Sequence, residues 1–156
     1  MTRFFSIMAA LLVGSAASYA QFDNELENAT TQTVGAAWTT NTIWVGNTTS
    51  NNAMFVVDGG HVANDTTFIG NASGSSNNYL QVAGEDATLT TSGSLYVGNS
   101  GSSNRLTIAN GGMVSSSNAF VGASNGASNN VAQVFGAGAR WDVGGQLKIG
   151  SGAGNE

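Results

Sequence analysis

The chain has 156 residues, 22 of them glycine, with no cysteine, no proline and a formal net charge of −5 at neutral pH. Four basic side chains against nine acidic ones weigh against a nucleic-acid or anionic-membrane partner. Without Cys the fold cannot be stapled by disulfides, and without Pro no strand loses a ladder donor.

Met1-Thr2-Arg3 is a short basic start, Phe4 to Gly14 is an apolar run, and Ser18-Tyr19-Ala20 carries small residues where a leader would be cut. Residues 1–20 therefore read as a secretory signal removed before Gln21, and the chain is expected to be exported. The apolar run is too short to span a bilayer. The next stretch, 21–33, holds Phe22, Leu26 and the acids Asp23, Glu25 and Glu27. It reads either as a cap over the first repeat or as a disordered start.

From residue 34 to 150 the chain repeats. The stretch Asn99–Gly150 overlays Asn47–Gly98 without a gap, a 52-residue register that keeps Asn52/Asn104, Phe68/Phe120, Gly70/Gly122, Gln81-Val82/Gln133-Val134 and Gly98/Gly150. Each copy divides into two halves. Asn52, Asn78, Asn104 and Asn130 recur every 26 residues, while Gly46, Gly70, Gly98, Gly122 and Gly150 recur alternately at 24 and 28. Periods of this length belong to stacked, quasi-one-dimensional folds.

Within a half lie three short runs of period two, the strand signal: Arg105–Ala109, Met113–Ser115 and Ala119–Gly122, for example. Three strands of about four residues, at ~3.3 Å each, with three turns, make one coil of a solenoid. The expected fold is all-β: a right-handed parallel β-helix of about four to five coils of 24–28 residues, three strands per coil. Alternation places Met54/Val56, Leu80/Val82, Leu106/Ile108 and Ala132/Val134 inward on the first strand. Phe55, Gln81, Thr107 and Gln133 then face out. Val62, Leu89, Val114 and Trp141 line the second strand's interior. On the third, Ile43/Val45, Thr67/Ile69, Leu95/Val97, Ala119/Val121 and Leu147/Ile149 face in. Trp38 sits one residue off the register that Trp141 holds. Residues 151–156 copy the opening turn of a further, truncated coil. A continuation of the same chain, or another subunit, is expected to cover the open edge there.

The phrases Leu95-Tyr96-Val97-Gly98-Asn99-Ser100-Gly101, Leu106-Thr107-Ile108-Ala109-Asn110-Gly111-Gly112 and Gly136-Ala137-Gly138-Ala139-Arg140-Trp141 resemble the repeat of autotransporter (type V secretion) passenger domains and of PEP-CTERM-type exported proteins. The resemblance covers roughly Val34 to Gly154. It implies a β-helix exposed at the cell surface or outer membrane, or released outside the cell, in an adhesive or structural role. Neither an outer-membrane barrel nor a Pro-Glu-Pro sorting tail accompanies it in this sequence, which leaves the anchoring mode open.

Two sets of positions stand out as candidate sites. Trp44, Phe68, Tyr96 and Phe120, followed by Lys148, fall at one outward position of successive coils. Such a column either stabilises the sheet by cross-strand stacking or offers a platform for surface glycans or a neighbouring cell's surface. Asn52, Asn78, Asn104 and Asn130, with Asn47, Asn71 and Asn99, are expected to form amide ladders from coil to coil. The stacked turn residues Asp58, Glu85-Asp86 and Asn110 read as solvated acids, lacking the Gly-Asp nonapeptide of calcium rolls.

His61 has no nucleophile or carboxylate partner at a recognisable spacing, and Arg105 and Arg140 fall on different strands. No catalytic residue, metal or cofactor is therefore assigned. The expected function is a non-enzymatic, exported structural or adhesive β-solenoid. The alternative is a glycan-binding module, or a segment of a carbohydrate-active β-helix enzyme such as a polysaccharide lyase or hydrolase.

Overall fold

A computed structural model describes residues 24–150 and 153–156. The leader assigned to residues 1–20 lies outside the described residues, as do Ser151 and Gly152. Fourteen strands follow one another: β1 (Glu25–Leu26), β2 (Thr31–Val34), β3 (Ala37–Thr39), β4 (Thr42–Val45), β5 (Ala53–Val56), β6 (His61–Asn64), β7 (Thr66–Ile69), β8 (Tyr79–Ala83), β9 (Thr88–Val97), β10 (Arg105–Ala109), β11 (Met113–Val121), β12 (Val131–Phe135), β13 (Arg140–Val143) and β14 (Leu147–Ile149). No described residue is helical, and every strand pairing is parallel.

The pairings wind the chain into a solenoid of about five coils. The first face is the five-stranded sheet β2-β5-β8-β10-β12. The second stacks β3, β6 and the leading halves of β9 and β11 with β13. The third stacks β1, β4, β7 and the trailing halves of β9 and β11 with β14. Register follows the repeat: Leu106 sits against Leu80 and Ala132, and Ile108 against Val82 and Val134.

Alternation along these strands sets the core. Met54, Val56, Leu80, Val82, Leu95, Val97, Leu106 and Ile108 are fully buried, as are Ile43, Val45, Ile69, Ala119 and Val121. Removing such columns of aliphatic side chains from water is the main driving term for a fold of this kind.

Several positions depart from the sequence reading. Second and third strands are not always separate: in two coils they merge into the ten-residue β9 and nine-residue β11, which bend rather than break. Gly93 makes the first bend. Its N–H bonds to the Asp65 carbonyl at 2.9 Å, and a Cβ there would stand 2.6 Å from that oxygen. In β11 the bend is a register shift between Ser116 and Asn118.

Trp38 is not out of step. It pairs with Val62, in the column that runs through Leu89 and Val114 to Trp141. The loop between β3 and β4 is one residue shorter than that between β13 and β14, which hid the match. Two half-buried tryptophans thus pack on the core at opposite ends of one column.

Thr107 points outward but is only 4% exposed, a short side chain flanked in register by Gln81 and Gln133. In the last coil Val134, Leu147 and Ile149 are 44%, 50% and 53% exposed. They hold the inward positions expected of them, yet no further coil lies over them among the described residues.

At the other end the pairing starts earlier than Val34. Strand β1 pairs with β4, β2 pairs with β5, and Leu26 is fully buried. Burial pushes the Glu27 carboxyl up, but hydrogen bonds outweigh it and leave the group below the ordinary value for Glu. They come from the Thr49 side chain, from the backbone and hydroxyl of Thr48, and from the Asn47 backbone.

Candidate functional site

The third face positions the aromatic column. On β4, β7, β9 and β11 the residues before the closing inward Val or Ile are in register, so Glu25, Trp44, Phe68, Tyr96, Phe120 and Lys148 form one outward row. Ring centroids lie 6.4 Å apart for Trp44–Phe68, 4.8 Å for Phe68–Tyr96 and 5.0 Å for Tyr96–Phe120, with planes within 7°, 9° and 12° of parallel. The strand spacing of ~4.8 Å imposes these distances.

Within the column each ring face is therefore taken up by the next ring, only the outer faces of Trp44 and Phe120 lying toward Glu25 and Lys148, and all four rings are half-buried. A sugar stacks through its C–H groups onto a ring face. What this column turns to solvent is ring edges, the positive rim of the quadrupole. Its two ends carry an acid, Glu25, and a base, Lys148.

The expected consequence is thermodynamic. Tyr96→Ala removes two stacked contacts, each worth about 0.5–1.5 kcal/mol beyond area burial, and should lower the unfolding free energy by about 2–3 kcal/mol in guanidinium titration. A loss below about 0.5 kcal/mol, within the range of an ordinary surface substitution, would remove the column from the forces holding the coils together.

The asparagines build two ladders of opposite direction. In the inner one the backbone N–H and Nδ2 of Asn52 both donate to Asn78 Oδ1 at 2.9 Å, and Asn78 donates likewise to Asn104 Oδ1 at 2.9 and 3.0 Å. Asn104 donates to Asn130 Oδ1 at 2.9 and 3.1 Å, and Asn130 to Asn155 Oδ1 at the same distances. Thr30 N–H completes the row by donating to Asn52 Oδ1 at 3.0 Å. The four repeat asparagines are at most 1% exposed.

The outer ladder runs the other way. Asn99 donates to Asn71 Oδ1 at 2.9 Å, Asn71 to Asn47 Oδ1 at 2.7 Å, and Asn47 to Glu25 Oε1 at 2.8 Å.

Three features were missed from the sequence. Asn155 joins the inner ladder although it follows Asn130 by 25 residues instead of 26. Gly46, Gly70, Gly98 and Gly122 are seats for the amides of Asn78, Asn104, Asn130 and Asn155, as a Cβ on any of them would come within 2.6 Å of that amide. The signal was present in the 24/28 glycine spacing, but the contact joins residues of different coils. Third, a closed ring of buried hydrogen bonds sits between the second and third faces. Asn64 Nδ2 bonds to Thr67 Oγ1 at 2.8 Å, Thr67 and Thr91 hydroxyls meet at 2.9 Å, and Thr91 donates to Asn64 Oδ1 at 3.0 Å. Parity with Val62 places Asn64 inward; its polarity masked this.

The remaining candidates do not converge. Asp58, Glu85 and Asp86 are exposed, and no group of three metal-ligating side chains occurs among the described residues. His61 is exposed, with Nδ1 2.9 Å from Thr88 Oγ1. Arg140 and Asp142 form an exposed ion pair at 2.6 Å beside a shallow depression of about 130 Å³ lined by Thr88, Thr90, Met113 and Ser115. Ligand sites usually enclose about 300–1,000 Å³. No protein-family model, curated protein or solved structure matches the chain.

Proposed function

We propose that the protein is an exported, non-enzymatic β-solenoid that serves as a surface stalk, a passenger-type structural segment like the autotransporter and PEP-CTERM repeats it resembles. One observation carries this reading: its recurrent side chains are spent on their own equivalents in adjacent coils. Amides bond to amides and rings stack on rings through the length of the row, where a binding or catalytic protein would converge them on a pocket. A stalk works by geometry. Each coil adds ~4.8 Å of reach, and contact only with neighbours lets coils be added without redesigning the rest. The exposed Val134, Phe135, Leu147 and Ile149 are the surface on which a further coil of the same kind would stack, from the chain's continuation or another subunit.

The test is an in-frame deletion of one full repeat, Asn47–Gly98, in the protein carrying its own leader and a peptide tag in the Ser124–Ala127 turn. The junction joins Gly46 to Asn99, the same Gly-Asn seam that occurs at Gly98-Asn99. Expected is a folded, exported chain shorter by two coils, about 10 Å, whose tag an impermeant reagent labels on intact cells or in the medium as well as it labels the parent. Labelling of the parent only after lysis would overturn the assignment to the exterior. Collapse of the deleted form to an unfolded chain would overturn the modular stalk.

A further inference from the structure

The sequence contains two Asn-Gly pairs, Asn110-Gly111 and Asn125-Gly126, both within the second copy of the repeat. Both lie in exposed turns, and both are chemically able to cyclise, because glycine offers no side chain to hinder its own amide nitrogen. The structure treats them differently.

Asn110 and Gly111 occupy the centre of a turn closed by Gly112 N–H on the Ala109 carbonyl at 3.0 Å, with φ of 50° and 91°. Positive φ at both positions is the type I′ arrangement that favours Asn-Gly. The Asn110 backbone is pinned on both sides: its N–H donates to the Phe135 carbonyl at 3.3 Å, and its carbonyl accepts from Gly84 N–H at 3.2 Å. Its side-chain oxygen lies over Gly136. The ψ angle of Asn110 sets the direction of both its carbonyl and the Gly111 nitrogen. Turning that nitrogen toward Asn110 Cγ therefore breaks the bond to Gly84.

Asn125 and Gly126 occupy the centre of the turn closed by Ala127 N–H on the Ser124 carbonyl at 2.9 Å, and neither has positive φ. Asn125 is exposed and makes no hydrogen bond among the described residues. Among the described residues the pair is tied by Ser102 Oγ, which donates to the Gly126 carbonyl at 3.1 Å, and by Ser128 Oγ at 3.5 Å. A Cβ on Gly126 would meet nothing within 4 Å, so a ring built at this place has open space.

We infer that Asn125-Gly126 is a site of spontaneous deamidation to aspartate and isoaspartate, and that the coil-to-coil ladder protects Asn110-Gly111 from the same reaction. The Gly126 amide nitrogen attacks Asn125 Cγ. A new N–Cγ bond forms, the Cγ–Nδ2 bond breaks, and Nδ2 leaves as ammonia with the proton from the Gly126 nitrogen. Water then opens the five-membered imide at either carbonyl, leaving a carboxylate on a normal or a β-linked backbone. Water is the sole co-reactant, and nothing is oxidised or reduced. The turn lies outside both amide ladders, so the product keeps the fold while its surface gains one negative charge.

Trypsin cuts after Arg105 and Arg140, so a single peptide, Leu106 to Arg140, carries both pairs. The full chain is incubated folded, and in parallel unfolded in urea, in mildly alkaline buffer, and this peptide is sequenced by tandem mass spectrometry. In the folded protein Asn125 should convert roughly tenfold or more faster than Asn110, the factor that one or two broken hydrogen bonds impose on a rate. In urea the ratio should fall toward one. Asn125→Gln should abolish the acidic charge variant on isoelectric focusing, and Asn110→Gln should leave it. Equal rates in the folded protein, faster conversion at Asn110, or no conversion at Asn125 would each overturn the inference.

Discussion

Asn104→Ala should lower the unfolding free energy by about 4 kcal/mol, far beyond the ordinary range of an Asn-to-Ala change on a protein surface. The side chain has four partners. Its Oδ1 accepts from the backbone N–H and Nδ2 of Asn78, and its Nδ2 donates to Asn130 Oδ1 and to the Ser75 carbonyl, both at 3.1 Å. All of these lie in a region where Asn78, Asn104 and Asn130 are at most 1% exposed. Truncation leaves the two Asn78 donors and the Ser75 carbonyl buried without partners, while Asn130 Oδ1 keeps the backbone N–H of residue 104. Each orphan costs about 1–3 kcal/mol unless water enters or geometry relaxes. The sum is not additive, so about 4 kcal/mol is the expected net. Asn52→Ala should cost less, about 2 kcal/mol, because its Oδ1 holds a single backbone N–H, that of Thr30.

Asn104→Asp adds a second readout. The carboxylate keeps the acceptor but faces the Ser75 carbonyl and Asn130 Oδ1 with no hydrogen to offer. Its folded pKa is therefore raised above the unfolded ~3.9. A raised acid pKa means that stability is recovered below the unfolded value and lost as pH rises through the folded one. Guanidinium titrations of Asn104→Asp across pH should show this slope, absent from Asn104→Ala. A cost for Asn104→Ala below about 1 kcal/mol, the worth of one ordinary hydrogen bond, would mean that the ladder is ornament on a fold held by its aliphatic columns alone.

What the sequence made legible was whatever depends on parity within one strand or on identity between copies. Leu106 and Ile108 read inward because Arg105, Thr107 and Ala109 alternate with them, and the fold stacks them on Leu80 and Val82. The four ladder asparagines read as equivalent because the spacing never leaves 26. Where loop length varies, the reading slipped. Trp38 looked displaced because the β3–β4 connection is shorter by one, and Asn155 escaped notice for the same reason, its spacing from Asn130 being one short of 26. Strand fusion in β9 and β11 was hidden because Ser92-Gly93 and Ser117 have turn-like composition, whereas bonds to the coil before them, from Gly93 N–H to the Asp65 carbonyl and from the Ser117 hydroxyl to the Ser92 carbonyl, hold the chain through the bend. Contacts between neighbouring coils at unequal spacing, such as glycine against amide, follow from no alternation rule and needed the fold.

Those glycine seats supply the second large effect. Gly70→Ala should cost about 4–5 kcal/mol, from two separable sources. Gly70 has φ of +78°, a left-handed backbone that costs an L-residue roughly 1–2 kcal/mol. Its new Cβ would also stand 2.1 Å from Asn104 Nδ2 and 2.4 Å from Asn104 Cγ, so the amide must leave its place and break the bonds counted for Asn104→Ala. Gly59→Ala isolates the first source. Gly59 has φ of +72° with nothing within 4 Å of a Cβ, so it should cost only the conformational 1–2 kcal/mol. Gly126→Ala, with open space and no positive φ, should change stability by less than about 0.5 kcal/mol.

The seat is then a coupling between two residues 34 apart in the chain, and a double-mutant cycle measures it. Once Asn104 is alanine, the alanine at 70 has nothing to collide with and should cost no more than the one at 59. The double mutant should therefore fall short of the summed single effects by about 3 kcal/mol. Additive losses, or a Gly70→Ala variant no less stable than Gly59→Ala, would show that the glycine and the amide merely lie near each other and that the inner ladder does not depend on its seat.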